Sequence, residues 1–495
     1  MKVIIDILKL IVDSLVEIIT LIISLFTKSH TYKGRMGKAK TVLRRSHTQN
    51  GLRIGKKYIS LKQSLDGGML LLGSTGSGKS SKIFLQNLFG ASKMIPTSFI
   101  CLDPTHEQRD KAMPYLAEEL DYAEDIINFS DATKSTVTWN PLDGLKADRV
   151  HRFAEELVVV NSTSKPKDPI WNNMSALVIS MHIHMLKSLE PILGSNRYTN
   201  LYNVRYLTSL MQSNIEVVNR LYSKFANESL YVDYRGFLNS EEKFFTNVLS
   251  SVLSVLVQWK DSNVIRTTSS TTLDMASYRY SKRILFIQND IMSQNYLKGI
   301  NSLFLKSWFD HITEAGIPKD PDSHVLAFMI DEASSLRTAD PMFVPFITSQ
   351  IRKYKSYGIW GFQSYNQCID LYTREGAETL RANTGSVLYL GHQDLQTGKT
   401  ISQSLGKYSY SKNDKDGVRE VLTPEEVMRL NGHKDGGVLV CGNEPPILLK
   451  SIPPYFKDKT MREWSEVPAP PLVGISGEMP PLLPIDELLK QPTKA

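Results

Sequence analysis

Cysteine is scarce here: three residues in 495, Cys101, Cys368 and Cys441. Their separation excludes a disulfide-stapled scaffold and any clustered-thiolate metal site, and they read as buried thiols of a reducing compartment. Acidic residues are missing altogether between Lys28 and Lys62, a stretch with eleven Lys or Arg. The net charge of +7 therefore sits at one end of the chain. Residues 1–27 carry −1 and residues 63–495 about −3. The slightly acidic body removes overall charge as an argument for nucleic acid.

Long uninterrupted apolar runs are also lacking. Residues 3–26 hold seventeen strongly apolar side chains, broken by Asp6, Lys9, Asp13 and Glu17. On a helix these four form one narrow polar stripe, continued by Thr20 and Ser24. Each central charge costs about 2.5–3.5 kcal/mol on the insertion scale and each apolar residue returns about 0.3–0.6. A lone lipid-exposed span comes out near break-even. The expectation for 1–27 is an amphipathic or membrane-associated helix, lying in the interface or packing its stripe on a partner helix. An ordinary amphipathic helix on the protein's own core is the alternative. The basic segment 28–62 suits a cytoplasmic membrane face with anionic lipids, and no secretory signal pattern frames the apolar run.

Set against these absences is one dense motif. Gly73-Ser74-Thr75-Gly76-Ser77-Gly78-Lys79-Ser80 meets every fixed position of the phosphate-loop pattern. An apolar run, Met69 to Leu72, precedes it, and helical spacing through Ile83, Leu85 and Leu88 follows. In that strand–loop–helix setting the glycines let consecutive N–H groups face phosphate oxygens, and the helix N-terminus adds positive potential. Gly73, Ser74, Thr75, Gly76, Ser77, Gly78, Lys79, Ser80 and Ser81 are the candidate nucleotide-binding set. Lys79 is expected at the β- and γ-phosphates, and Ser80 on Mg²⁺, with ATP as the nucleotide.

Length and 41% apolar content imply two or three domains with real cores. Strand-like runs at 98–102 and 125–129, then at 284–288, 325–330, 358–363 and 386–390, alternate with helical stretches. That pattern predicts an α/β fold with a parallel, doubly covered sheet. Residues 146–244 show helical periodicity throughout. The expected division is 63–145 and 245–464 for the two parts of the α/β domain, 146–244 for an all-α insertion, and 465–495 for a proline-rich tail.

The run Val325–Ile330 ends in Asp331-Glu332, as a Walker B strand does. Asp331 would share Mg²⁺ with Ser80, and Glu332 would polarise the attacking water. Gln363, after the next strand, is placed to orient that water, and Arg352 is a candidate arginine finger for a neighbouring subunit's site. Without those companions Arg352 reads as a solvated charge and Gln363 as merely polar. Gly398-Lys399-Thr400 resembles a second phosphate loop, but Gln393 stands where its first glycine belongs, so the turn cannot form.

Taken together, these residues resemble the type IV coupling proteins, the TraG/TraD-type ATPases of conjugative DNA transfer. The likeness runs from about 66 to 460. It includes the phosphate loop, Leu102-Asp103-Pro104 with Glu107, Trp139-Asn140-Pro141-Leu142, Asp168-Pro169-Ile170-Trp171 and Ile330-Asp331-Glu332-Ala333. It continues through Arg352-Lys353-Tyr354, Gln363-Ser364, Asn383, Ile401-Ser402…Leu405-Gly406 and Leu422-Thr423-Pro424-Glu425-Glu426-Val427. Two departures stand out. The family's Asp-x-Lys-Gly-Glu is here Asp103-Pro104-Thr105-His106-Glu107, which lacks the lysine and glycine on which a phosphate contact from that loop would rest. Its usual paired transmembrane helices are replaced by the single marginal one.

The resemblance implies a RecA-like motor with an inserted all-α domain, assembled as a homo-oligomeric ring, usually a hexamer, on the cytoplasmic face of a bacterial membrane. Its partners would be single-stranded DNA, the relaxase and relaxosome, and type IV secretion membrane components. Two other readings remain: a ring ATPase outside conjugation (a chromosome translocase or protein-secretion ATPase), and a nucleotide-binding docking platform with little turnover. The intact Lys79, Asp331, Glu332, Arg352 and Gln363 argue against the platform.

Overall fold

The computed structural model describes residues 36–161, 169–336, 340–391, 393–409, 418–430, 436–475 and 479–490. The expected helix at 1–27, the first part of the basic segment and the Asp168 end of its motif lie outside the described residues.

The organising element is a nine-stranded sheet. In chain order, β1 (Asn50–Ile54) and β2 (Lys57–Ser60) form a separate antiparallel hairpin. They are followed by β3 (Met69–Leu72), β4 (Thr97–Leu102), β5 (Ala123–Ile127), β6 (Arg283–Ile287), β7 (Val325–Ile330), β8 (Ser356–Phe362) and β9 (Ser386–Leu390). A short two-stranded piece, β10 (Lys407–Ser409) with β11 (Val418–Glu420), stands apart. The chain then returns as β12 (Gly437–Cys441) and β13 (Ile447–Leu449). The sheet order is β13-β12-β9-β3-β8-β7-β4-β6-β5. From β9 to β5 every pairing is parallel, and only β12 and β13 run antiparallel, at one edge.

The central strands are buried on both faces. That is why they read as continuous apolar runs rather than alternating ones. Along β7, Leu326, Phe328 and Ile330 belong to one core, while Val325, Ala327 and Met329 belong to the other. The first core is closed by the helices Val150–Asn161, Gln294–Ala315 and Tyr365–Asn383, the second by Leu85–Phe89, Glu107–Leu120 and the β1–β2 hairpin.

Between Val150 and Thr268 the described elements are all helical. The helical stretch runs past residue 244, because Glu242–Val255 straddles it and buries Val248, Leu249, Val252 and Val255 on one stripe. The turn Trp139-Asn140-Pro141-Leu142, where the chain leaves the sheet for the helices, is pinned by Asn140. Its amide donates to Thr199 O (2.8 Å) and Asp143 Oδ1 (3.1 Å), and its Oδ1 accepts from Leu142 N (3.1 Å).

Two segments are better ordered than their composition suggests. Part of the basic segment is a folded hairpin, with Leu52, Ile54 and Ile59 buried beneath its lysines and arginines. The proline-rich end is not a free tail either. Lys459–Glu466 is a helix, Ile475 N donates to Ser135 O, and Leu483, Ile485 and Leu488 are buried against the helices. Asn203 clamps this strap in both directions, accepting from Leu483 N (2.8 Å) and donating to Pro481 O (3.3 Å). Prolines here set an extended path; they do not prevent docking. Among the described residues no helix is long and apolar enough to cross a membrane.

Candidate nucleotide site

Strand register builds the site. Leu72 pairs with Phe362, and Ile330 pairs with Trp360. Because β8 lies between β3 and β7, the residues just past their ends emerge along one edge. Gly73 comes from β3, Gln363 from β8, and Asp331 with Glu332 from β7. Such an edge is where parallel α/β sheets bind ligands.

The loop from Gly73 to Gly78 turns back over this edge into a helix that begins at Lys79, its first turns π-wound over Ser80–Phe84. Gly76 and Gly78 have φ of +79° and +88°, which side-chain-bearing residues rarely adopt. The hydroxyl oxygens of Ser74 and Ser77 are buried in this cradle without a hydrogen-bond partner. The Lys79 ammonium folds back on Gly73 O at 2.6 Å, and buried Lys82 donates to Ser77 O at 2.9 Å. Ser81 Oγ donates to Gly78 O at 3.4 Å.

Across the edge, Ser80 Oγ donates to Asp331 Oδ2 at 2.5 Å, joining residues 251 apart in sequence. The approach is tight. A Cβ on Gly361 would stand 2.5 Å from Asp331 O, so β8 needs glycine there. Burial pushes the Asp331 carboxyl up to about 6, against the Ser80 hydroxyl and the Lys79 charge, which pull it down. The Lys79 ammonium is itself pulled down, by burial first, with Asp331 and Glu332 opposing.

Glu332 is held from both sides. Ser334 Oγ donates to its Oε1, and Gln363 Nε2 donates to its Oε2 at 3.2 Å. Gln363 in turn accepts from Thr75 Oγ1 at 3.4 Å, so one amide links the loop tip to the carboxylate. Gln363 N–H donates to Gln367 Oε1 at 2.8 Å, which fixes the amide's root. Ser334 and Lys82 were not legible as site residues, since a serine two after Glu332 and a lysine three after Lys79 carry no spacing signal.

Arg352 is not brought to this edge. It lies in the turn Ile351–Tyr354 before β8, whereas Gln363 follows β8, so the two are about 20 Å apart along the strand. Its side chain is 56% exposed and pairs loosely with Asp66 at 3.7 Å. Asp103 is nearer but turned away. Its buried carboxylate accepts from Gln108 N (3.2 Å), Arg109 N (3.0 Å) and Gln288 Nε2 (3.1 Å), so it caps the helix Glu107–Leu120. Gly398-Lys399-Thr400 lies inside the helix Leu395–Leu405, as a chance match would. The segment Thr423–Val427 is a helix start whose Thr423 and Glu426 form a capping box.

The buried orphan hydroxyls, the positive-φ glycines and the serine–carboxylate pair form a donor set suited to a nucleoside triphosphate with a hard divalent cation. A family model described as "Type IV secretory system Conjugative DNA transfer" matches residues 24–471. Protein VirD4 of Rhizobium radiobacter is 23% identical over 269 residues, 50% of this chain and 38% of that protein. The type IV secretion system-coupling protein VirD4 of Bartonella quintana (strain Toulouse) is 25% identical over 407 residues, 74% of this chain and 60% of that protein. The chain thus spans less than two thirds of the length of these relatives. Among solved structures, plasmid coupling protein TrwB in complex with the non-hydrolysable GTP analogue GDPNP superposes with a TM-score of 0.61 at 19% identity, covering 85% of this chain and 96% of that one. TrwB in complex with ADP and Mg²⁺ gives 0.61 at 18%, over 84% and 92%. At this identity the likeness is one of fold: a mixed α/β architecture with a large, mainly parallel sheet.

Proposed function

The chain belongs to the type IV secretory system conjugative DNA transfer family, and from that premise we propose that it is an ATP-hydrolysing coupling protein. In this reading it recruits a relaxase–DNA complex and drives single-stranded DNA toward a secretion channel. The observation that carries the reading is the 2.5 Å contact between Ser80 and Asp331. Only a sheet that brings β3 and β7 to one edge makes it.

The division of labour follows from the geometry. The backbone N–H groups of 74–80 and the Ser74 and Ser77 hydroxyls receive phosphate oxygens. The Lys79 ammonium, now spending its charge on Gly73 O, swings to the β- and γ-phosphates. Ser80 and Asp331 would hold Mg²⁺, which when bound would offset phosphate charge and favour the ionised Asp331 carboxyl. Glu332 accepts a proton from the attacking water, and the Gln363 amide orients that water, while Thr75 ties the amide to the loop tip. Arg352, too far from its own subunit's loop, acts on a neighbour's in a homo-oligomeric, hexameric ring. The helical domain faces cargo, and residues 1–27 hold the ring at the cytoplasmic face of the membrane.

The test is ATPase activity with and without single-stranded DNA, alongside oligomer mass. Wild type is expected to be stimulated by DNA as it assembles, and Lys79→Ala to be inactive in both conditions. Equal rates for the two proteins would favour the docking platform. Hydrolysis indifferent to DNA would favour a protein-secretion ATPase.

A further inference from the structure

At the end of the sheet opposite the phosphate loop, one partly buried guanidinium serves an arrangement that the site does not explain. Arg279 closes the short turn Ala276–Arg279, just before β6. Its Nη2 donates to Tyr354 O (2.5 Å) and Ser356 Oγ (3.1 Å). Its Nη1 donates to His324 O (3.0 Å) and Lys355 O (3.2 Å). All four acceptors are neutral oxygens. Burial pulls this arginine down to about 10, so the fold accepts a desolvation cost to keep it there.

Three of the four contacts fall on residues 354–356, where the turn carrying Arg352 ends. That turn is held in an unfavourable shape. Lys355 has φ +51°, a left-handed conformation in a residue with a Cβ, and it persists only where contacts over-determine it. Its side chain is also tied, donating to Pro321 O (2.7 Å) and Ser323 O. A surface charge with no assignment needs no such clamp. Arg352 itself is more than half exposed, with one loose ion pair, while the backbone beneath it is fixed from two directions.

We propose that Arg279 is a positioning residue for Arg352: its guanidinium fixes the turn Ile351–Tyr354 so that the Arg352 side chain is presented, in register, to the nucleotide site of a second copy of this chain. This rests on the reading of Arg352 as a finger acting between subunits. Arg279 touches no nucleotide. A planar, five-donor fork suits four divergent carbonyl and hydroxyl acceptors where an ammonium does not.

The experiment uses full-length protein and mixed assemblies. Arg279→Met is expected to bind an ATP analogue with near-wild-type affinity, because its own phosphate loop is remote. It should lose DNA-stimulated hydrolysis by about tenfold or more, like Arg352→Ala. Arg279→Lys should fall between the two. Mixing Arg279→Met with Lys79→Ala should restore activity above the sum of the parents. The first supplies intact phosphate loops and the second intact fingers. A merely structural defect would lower the melting temperature and nucleotide affinity together and would not be rescued by mixing. Should Arg279→Met fail to fold, Arg279→Lys carries the same readouts.

If Arg352→Ala is rescued by Lys79→Ala but the Arg279 variants are not, or if Arg279→Met hydrolyses like wild type, this inference is overturned. If Arg352→Ala itself gains nothing from mixing, the finger reading fails first.

Discussion

At the C-terminal end of β7 the fold partly buries an acid, and inside the helical stretch it fully buries a base; the surroundings of the two differ sharply. Asp331 is raised to about 6 by burial, yet it bonds, through Ser80, the end of a loop whose Thr75 and Gly76 are exposed and whose Ser74 and Ser77 carry orphan hydroxyls. His182 is lowered to about 3 by burial. Its Nδ1 bonds the Tyr222 hydroxyl at 2.9 Å, and Tyr222 stacks on Tyr234 with ring centroids 3.9 Å apart. The first group sits at a mouth lined with unmatched donors; the second leaves its own Nε2 unmatched but is sealed in an aromatic core with no way in. A perturbed ionisable group marks a site only when its neighbours leave polar atoms unmatched and a way in remains.

The largest effect expected at the phosphate edge is chemical. Glu332→Gln keeps the bonds to Ser334 and Gln363 within reach but cannot accept a proton. Turnover should fall by about 10²- to 10⁴-fold while nucleotide binding is retained. Steady-state hydrolysis beside equilibrium binding of an ATP analogue measures both. Unchanged turnover would erase the distinction between the two regions.

The next effect is on stability, measured without nucleotide or Mg²⁺, and its sign differs between the two regions. The folded Asp331 carboxyl titrates above its unfolded value. Its favourable contribution is present below about pH 4 and lost as pH rises through 6, worth about 3 kcal/mol. Asp331→Asn should therefore stabilise the empty protein by about that much at pH 8 and hardly at all at pH 4. His182 titrates below its unfolded value. Its contribution is present above about 6.5 and lost as pH falls toward 3, about 2 kcal/mol by pH 5. His182→Gln should flatten that acid limb. Urea midpoints across pH decide the matter. A destabilising Asp331→Asn at pH 8 would show that burial does not raise that carboxyl, and an unchanged acid limb in His182→Gln that burial does not lower that imidazole.

Why one region was legible in the sequence and much else was not follows from what each rests on. The phosphate loop depends on residue identity at fixed spacing, and β3, β7 and β9 are apolar runs buried on both faces, so all were readable with their bounds. The hairpin β1–β2 was hidden because Leu52, Ile54 and Ile59 alternate with charges that dominate the composition. The strap at 479–490 was hidden because proline content masked the apolar pattern of Leu483, Ile485 and Leu488. The Arg279 clamp was unreadable in principle. Its acceptors are chiefly backbone carbonyls, which every residue has, and only the fold places them. Glu332's bond to Ser334 is local, but nothing in a Glu-x-Ser spacing distinguishes it from chance.

The smallest effect tests a departure that looked functional. In Asp103-Pro104-Thr105-His106-Glu107, His106 stands where the resembling family carries glycine, and its φ is +61°. The glycine pattern therefore has a backbone reason in this chain as well: the turn must go left-handed so that Asp103 can cap the helix through Gln108 and Arg109. A side chain in that region costs about 1–2 kcal/mol, of which glycine returns part by ordering a freer unfolded chain. His106→Gly should thus stabilise the protein by about 0.5–1 kcal/mol and leave nucleotide affinity unchanged, since the Asp103 carboxylate faces the helix and not the phosphate loop. A parallel denaturation and nucleotide titration reads both. If affinity rose while stability stayed fixed, the loop would be reaching the phosphates after all, and the contrast between a cradle built by Gly73–Ser80 and a merely structural neighbour would have to be redrawn.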